Sequence, residues 1–259
     1  MVEHLDRAWR TAATGFCFAV FGVGGLVLRG VVFPLLNVVV AERERRARWA
    51  RACIHHAFRL FVALMRRLGV LTYELRGAER LQRDGLLILA NHPTLIDVVF
   101  LMSFVRGADC IVKAALAHNP FTRGPVRAAG FVCNDSGAGM VEDCLQSLRT
   151  GNNLIIFPEG TRTPRTGHQP LQRGAANIAV RGQRNVTPVR IRVQPLTLGK
   201  GEKWYRVPAQ RCHIEFEVGE DIAVAPFLAD SASEAIAARR LTDHLTAYFS
   251  PETRCAGHS

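Results

Sequence analysis

Apolar positions along the chain follow three rhythms, and each predicts a different kind of element. Thr11–Leu28 is an unbroken uncharged run, closed by Arg29 and followed by a second apolar stretch, Gly30–Ala41, that contains Pro34. As a helix, the 18 residues of the first run reach about 27 Å, just short of a hydrocarbon core of about 30 Å. Carrying the span through Arg29 costs about 2.5–3.5 kcal/mol on the insertion scale. Gly22, Gly24, Gly25 and Pro34 favour two half-helices that dip into one leaflet. One tilted span is the alternative. A cleavable leader with Arg7 and Arg10 as its basic end is a third reading, disfavoured by the length of its apolar part.

The second rhythm is helical. At 100° per residue, Ala50, Cys53, Ile54, Ala57, Phe58, Phe61, Leu64, Met65 and Leu68 share one face, and Arg48, Arg51, His55, Arg59 and Arg66 the other. This predicts a basic amphipathic helix, packed on a core or lying in a headgroup layer. Because Arg43, Arg45, Arg46, Arg48 and Arg51 follow the apolar anchor directly, the positive-inside rule places the rest of the chain on the cytoplasmic face of the membrane.

The third rhythm is short β-branched runs: Leu86–Ala90, Cys110–Lys113, Gly130–Cys133, Asn153–Phe157, Pro188–Val193 and His213–Val218. Helical patterns lie between and after them, at Asp97–Val105, Val141–Arg149, Leu171–Arg181 and Ser231–Phe249, the last opening on a Ser231-Ala-Ser-Glu234 capping box. Alternating strands and helices predict an α/β fold with a mixed, largely parallel sheet covered by helices. The plan is an N-terminal membrane-associating helical segment, residues 1–70, and one α/β domain, residues 71–259.

Composition narrows the function. With 48% hydrophobic and 21% charged residues the chain is not disordered. Its 33 Lys+Arg against 22 Asp+Glu leave +11, which suits work against an anionic surface or substrate. No aromatic-interleaved block of the kind that binds RNA and no helix-turn-helix signature accompanies that charge, so membrane lipid is the expected partner and nucleic acid is not. Seven scattered cysteines form no C-x-x-C pair, which argues against a disulfide framework or a thiolate zinc site and for a reducing compartment. The adjacent His55-His56 pair projects in two directions, so no metal is expected.

Two blocks carry candidate chemistry. Strand Leu86–Ala90 runs into Asn91-His92-Pro-Thr-Leu-Ile-Asp97, at the strand end where α/β sheets bind ligands. Pro93 suits a first helical turn, which puts His92 at or just before a helix start. From there its ring can fold over the turn onto Asp97, which would orient the imidazole and leave its other nitrogen to take a proton from a hydroxyl. The second strand end reads Phe157-Pro158-Glu159-Gly160-Thr161-Arg162-Thr163. A glycine whose amide can approach closely, a hydroxyl and a forked guanidinium suit an anionic group.

Together, NHPTLID and FPEGTRT resemble the glycerolipid acyltransferase family, whose best-known members are 1-acylglycerol-3-phosphate (lysophospholipid) acyltransferases. Both of that family's blocks, N-H-x-x-x-x-D and F-P-E-G-T-R, stand intact and in order, and the resemblance covers about residues 70–225. Gly182–Pro195 is similar to a further, weaker block. The resemblance implies an O-acyltransferase of lipid metabolism and phospholipid biosynthesis, with His92 as general base and Asp97 as its orienting partner. Asn91, Glu159, Gly160, Thr161 and Arg162 would bind substrate. The donor would be acyl-CoA or acyl-carrier protein as co-substrate, with no further cofactor and no metal. One departure stands out: where the family carries a phosphate-holding arginine after a glycine-led strand, Gly130-Phe-Val-Cys-Asn134-Asp135 has none. Lys113 and Arg127 are the cations on hand to substitute. With the Lys200-Gly-Glu-Lys-Trp-Tyr205 run, that departure points to a specialised lyso-lipid acceptor. A non-catalytic lipid-binding relative of the family is the rival reading.

Overall fold

The structure, a computed structural model, describes residues 2–112, 123–133, 139–164 and 169–250, with side chains from His4 onward. The long apolar run does not break at its glycines. Helix α1 (Val2–Val27) passes through one π-turn, Leu28–Val32, into α2 (Phe33–Val39). The wider turn, closed by Phe33 N–H donating to the Leu28 carbonyl, accommodates Pro34, which lacks an N–H and would clash with the carbonyl four residues back in a regular helix. The expected pair of half-helices is therefore one continuous helix. Among the described residues, His4–Val39 is the one stretch long and apolar enough to cross a membrane.

Helix α3 (Arg43–Arg67) packs back along it. Two members of its expected polar face are buried instead. Arg51 donates to Asn152 Oδ1 at 2.9 Å and approaches Asp109 Oδ2 at 3.4 Å, and His55 Nδ1 lies 2.9 Å from the Met102 carbonyl. The polar stripe failed as a guide there because α3 is sandwiched, with α1 on one side and α4 (Asp97–Phe104) on the other. The start of α1 is tied down too. The Arg10 guanidinium, 1% exposed, donates to the carbonyls of Pro208, Ala209 and Gln210, and Trp9 Nε1 donates to that of Leu68. Arg10, one of the two cations of the disfavoured leader reading, is thus built into the fold.

Seven strands form the sheet in the order β1-β7-β6-β2-β5-β3-β4. They are β1 (Leu71–Arg76), β2 (Leu87–Ala90), β3 (Ala108–Val112), β4 (Val132–Cys133), β5 (Asn153–Ile156), β6 (Val186–Gln194) and β7 (Cys212–Val218). Every pairing is parallel except β6 with β7. β1 is an unexpected strand, although its Leu71/Tyr73/Leu75 against Thr72/Glu74/Arg76 has the period of two that a half-buried strand needs. The central strands β2 and β5 are buried along their whole length, the continuous apolar signature of a sheet covered on both faces. Pro188 fits inside β6 because the β7 ladder begins only at the next residue, Val189 opposite Val218.

One face of the sheet is covered by α1, α3 and α4 (Asp97–Phe104), with Ile88, Ile155, Phe100 and Phe216 in its core. The other carries α6 (Gly139–Arg149), α7 (Arg173–Arg181) and α9 (Glu234–Phe249) over Leu87, Leu89, Leu154 and Ile156. Short helices α5 (Arg123–Ala129) and α8 (Ala225–Ala229) complete the domain. The cap of α9 is Ser233, whose hydroxyl accepts from Ile236 N–H. Ser231 is not the cap, because its amide still closes the end of α8 on the Leu228 carbonyl.

Candidate active site

The loops that follow β2 and β5, neighbouring parallel strands, leave the same edge of the sheet. They bring the two blocks together. Helix α4 begins at Asp97 itself, so Pro93 lies in the preceding turn and not in a helix, and His92 sits in the loop. The loop folds so that His92 Nδ1 meets Asp97 Oδ2 at 2.9 Å. A threonine that the sequence reading overlooked makes this contact rigid. Thr94 N–H donates to Asp97 Oδ2 at 2.7 Å, and its hydroxyl donates to Oδ1. Thr94-Leu-Ile-Asp97 has the spacing of a capping box, the signal that would have found it.

Asp97 is wholly buried while the His92 side chain keeps 18% of its surface. Burial pushes the Asp97 carboxyl above the usual carboxylate range; the His92 ring and the two Thr94 donors oppose that rise. An Asp97 carboxylate accepting at Nδ1 requires the proton there, which leaves the Nε2 lone pair as the ring's reactive position. Phe157 stacks on the imidazole with centroids 4.2 Å apart, fixing its second rotational degree of freedom.

The FPEGTRT loop braces the backbone of His92 from both sides. Glu159 Oε1 accepts from His92 N–H at 3.0 Å and from the Thr163 hydroxyl at 2.8 Å, and Thr163 N–H donates to the His92 carbonyl at 2.7 Å. Glu159 is buried, and its Oε2 has no hydrogen-bond partner among the described residues. Burial pushes its carboxyl up, against the pull of Thr163 and of the His92 amide.

The remaining expected substrate contacts are placed differently. The Asn91 side chain is a sheet clasp, donating to the Ile191 carbonyl at 2.8 Å and accepting from Ile191 N–H at 2.7 Å. The Gly160 amide closes the turn onto the Phe157 carbonyl at 3.0 Å with φ at +66°, so its donor is already engaged in this turn. Arg162 Nη1 donates to the carbonyls of Leu198 and Gly199 at 3.1 and 2.8 Å. The same Leu198 carbonyl accepts from Leu95 N–H, and Leu198 is held at φ +55°. Arg162 thus ties the loop after β6 to the His92 turn. Thr161 is half-buried beside it. Lys113, like Asn134 and Asp135, lies outside the described residues. Arg127 is far from His92: it belongs to the helix before β4, three strand positions from β2, about 14 Å at 4.8 Å per strand.

Beside the blocks opens a cleft of about 290 Å³ at the sheet edge, lined by Asn91, Pro93, Glu159, Thr163, Arg190 and Arg192 among others. His92 is not among the lining residues, but its chain neighbours Asn91 and Pro93 are, so the cleft, with a buried carboxyl and two guanidinium-bearing side chains, adjoins the turn that carries the oriented imidazole.

Comparison with known proteins bears on the family and the fold. Residues 72–192 match the Acyltransferase family. The chain is 25% identical to the 1-acyl-sn-glycerol-3-phosphate acyltransferase of Saccharomyces cerevisiae over 66% of its length and 57% of that protein. It is 27% identical to the enzyme of the same name from Pseudomonas aeruginosa over 56% of its length and 58% of that protein. The matched stretch thus spans little more than half of these curated relatives. The crystal structure of the 1-acyl-sn-glycerophosphate (LPA) acyltransferase from Thermotoga maritima superposes with a TM-score of 0.69 at 19% identity, covering 99% of each chain, which establishes a shared fold from the N-terminal helix onward. Residues 72–192, with both sequence blocks intact, thus match the Acyltransferase family and are similar to curated 1-acyl-sn-glycerol-3-phosphate acyltransferases.

Proposed function

We propose that the protein transfers an acyl group from a thioester, acyl-CoA or acyl-carrier protein, to the hydroxyl of a lyso-lipid of the 1-acylglycerol-3-phosphate type. The observation that carries this reading is the 2.9 Å contact between His92 Nδ1 and the buried Asp97 carboxyl. Nε2 removes the acceptor's proton as its oxygen attacks the thioester carbonyl. The imidazolium so formed faces Asp97, whose negative charge stabilises it. When the tetrahedral intermediate collapses, the C–S bond breaks and the leaving thiolate recovers the proton from Nε2, giving ester and free thiol. No acyl-enzyme is required. Burial pushes the Cys110, Cys144 and Cys212 thiols up to about 12, unsuited to a nucleophile.

Lipid substrates imply a membrane surface, and the N-terminal helix supports one. Phe16, Val23, Leu26, Val31, Leu35 and Val38 are all exposed on it. At 1.5 Å per residue, 36 residues make a rod of about 54 Å, far longer than a bilayer core, and its first turns are bonded to the domain. A helix lying along one leaflet satisfies both facts better than a perpendicular span.

The test is turnover by the purified, folded protein. Labelled acyl-CoA and acyl-carrier protein are each offered with 1-acylglycerol-3-phosphate and, because the phosphate-holding arginine is missing after β4, with a panel of other lyso-lipids. Appearance of diacyl product with one acceptor supports the reading. Absence of transfer to every acceptor, with vesicle binding intact, would replace it with the non-catalytic lipid-binding alternative.

A further inference from the structure

The cleft of about 290 Å³ next to the His92 turn opens on the face of the sheet opposite the N-terminal helix. Arg190 and Arg192 alternate along β6 with Ile191, which packs in the core shared with α1, α3 and α4, so the two arginines point to the other face. There Thr246 and Phe249, at the end of α9, form part of the wall. Glu159 follows β5, and β2 lies between β5 and β6. The carboxyl and the arginines therefore flank the end of β2, about 10 Å apart at 4.8 Å per strand.

Three buried side-chain atoms of this lining have no hydrogen-bond partner among the described residues: Glu159 Oε2, Arg190 Nε and Arg192 Nε. Glu159 is only 4% exposed. Buried polar atoms are nearly always bonded, so three in the wall of one cleft point to a ligand. Charge in the cleft is already balanced. Arg190 donates to the Tyr248 carbonyl at 2.6 Å and lies 3.7 Å from Glu217, while Arg192 lies 3.7 Å from both Glu215 and Glu217. A phosphate would gain little here and would meet the Glu159 carboxyl. A carboxyl oxygen on one wall and N–H donors on the other suit a neutral group that carries N–H and C=O together, and that group is an amide. Bonded on both sides, an amide-bearing chain fills a gap of about 10 Å, as a strand does between its two neighbours.

A lyso-lipid of the 1-acylglycerol-3-phosphate type has no amide, whereas the thioester donors do. Acyl-CoA and acyl-carrier protein both carry the acyl group on a pantetheine arm, uncharged along its length, with amides in series. We propose that this cleft holds the pantetheine arm of the acyl donor, with Glu159 Oε2 accepting from an amide N–H and the arginine Nε–H groups of β6 donating to amide carbonyls. The volume is near the low end for ligand pockets, about 300 Å³, which admits a slender arm and not a whole coenzyme. The donor then reaches the His92 turn from the face away from the N-terminal helix, and the acceptor from the lipid side. The ligand's identity rests on the acyl-transfer reading, but the readout is binding.

S-methyl pantetheine, a neutral thioether that cannot transfer an acyl group, is titrated calorimetrically into the full chain. The wild type should bind it saturably. Arg192→Met removes one donor at a side chain 36% exposed. Glu159→Gln places an NH2 group where the acceptor stands while its carbonyl keeps the bond to His92 N–H. Each should weaken binding about 10-fold, the effect of one hydrogen bond to a charged group, with the melting temperature showing that the variant is folded. Arg181→Met, at the other end of α7, should bind as the wild type does. S-methyl-CoA and S-methylated holo-acyl-carrier protein are titrated in the same way, and the tighter of the two is the source of the arm. In turnover, Arg192→Met should raise the KM for the thioester about 10-fold and not that for the lyso-lipid. Equal pantetheine affinity in wild type and both cleft variants, no pantetheine binding at all, or displacement of pantetheine by inorganic phosphate would overturn the cleft assignment, even with acyl transfer intact. Pantetheine binding that is weakened by both variants in a protein without turnover keeps the cleft and removes the acyltransferase reading instead. Should Glu159→Gln fail to fold, Arg192→Met decides alone.

Discussion

Replacing Asp97 by asparagine removes one charge while keeping nearly every atom in place. The wild-type carboxyl accepts three hydrogen bonds, from His92 Nδ1–H, Thr94 N–H and the Thr94 hydroxyl. An asparagine whose oxygen takes the Oδ2 position keeps the first two, and its amide can donate to the Thr94 hydroxyl, which turns to accept. The fold should survive. On the proposed reading, what disappears is the attraction between the carboxylate and the imidazolium that forms as the acceptor is deprotonated. With charge centres about 4 Å apart and an effective dielectric near 20, that attraction is about 4 kcal/mol, or about a thousandfold in kcat at about 1.4 kcal/mol per decade. If the amide instead turns its NH2 toward the ring, Nε2 carries the proton and the base is lost, which lowers kcat further. The assay is release of free thiol from acyl-CoA, with kcat and KM determined separately and the melting temperature measured alongside. His92→Ala and the His92→Ala/Asp97→Asn double variant complete a cycle. If the two act as one unit, the double variant is no slower than His92→Ala alone. A kcat for Asp97→Asn within a few fold of wild type, or losses that multiply in the double variant, would refute the pairing as the source of catalysis.

Three further outcomes follow from buried groups. Glu159→Gln keeps the acceptor for His92 N–H and Thr163 but removes a carboxyl that burial holds above its ordinary range. Such a group favours the folded state below its unfolded value near 4.3, and that contribution is lost as pH rises through the folded value. The variant should thus match wild type in melting temperature at pH 4 and exceed it at pH 7; a difference that is constant with pH would refute the assignment. Arg51→Ala leaves Asp109 buried without its cation and should cost about 3–5 kcal/mol in denaturant unfolding while kcat stays unchanged. With Cys110, Cys144 and Cys212 pushed up to about 12, the thiolate fraction at pH 8 is about one in ten thousand. Those three should resist maleimide in the native protein and react once it is unfolded, as peptide mass mapping will show.

Much of this was legible because the chemistry sits where local sequence is least ambiguous. The strands before Asn91 and Phe157 are continuous apolar runs, and the blocks that follow them are contiguous, so both the sheet edge and the His92–Asp97 pair can be read directly. What stayed hidden was decided by tertiary contact. Arg51 and His55 have the spacing of an exposed stripe, yet Arg51 is buried on Asn152 and Asp109 and His55 on the Met102 carbonyl of α4. Pro34 reads as a break, yet a π-turn absorbs it. Asn91, Gly160 and Arg162 carry polar groups of the kind that bind ligands, and the fold uses them on Ile191, Phe157 and the Leu198–Gly199 turn. No spacing rule distinguishes a donor aimed at a substrate from one aimed at a carbonyl 36 residues away.

These internal bonds give the second block a structural role besides the substrate binding expected of it. A ring held only at Nδ1 would still swing with its backbone, and a displacement of about 1 Å is enough to cost a hundredfold in an oriented proton transfer. Here Glu159 fixes the His92 amide, Thr163 fixes its carbonyl and Phe157 fixes the plane of its ring. Arg162 then carries the same frame to Leu198, whose loop runs on to Trp204 against Gly15 of α1 and to the carbonyls that bind Arg10. On the proposed reading, one chain of contacts joins the helix that rests on lipid to the imidazole that acts on lipid. The distance between the bilayer surface and Nε2 is then set by the fold, and an acceptor can present its hydroxyl without its acyl chain leaving the membrane.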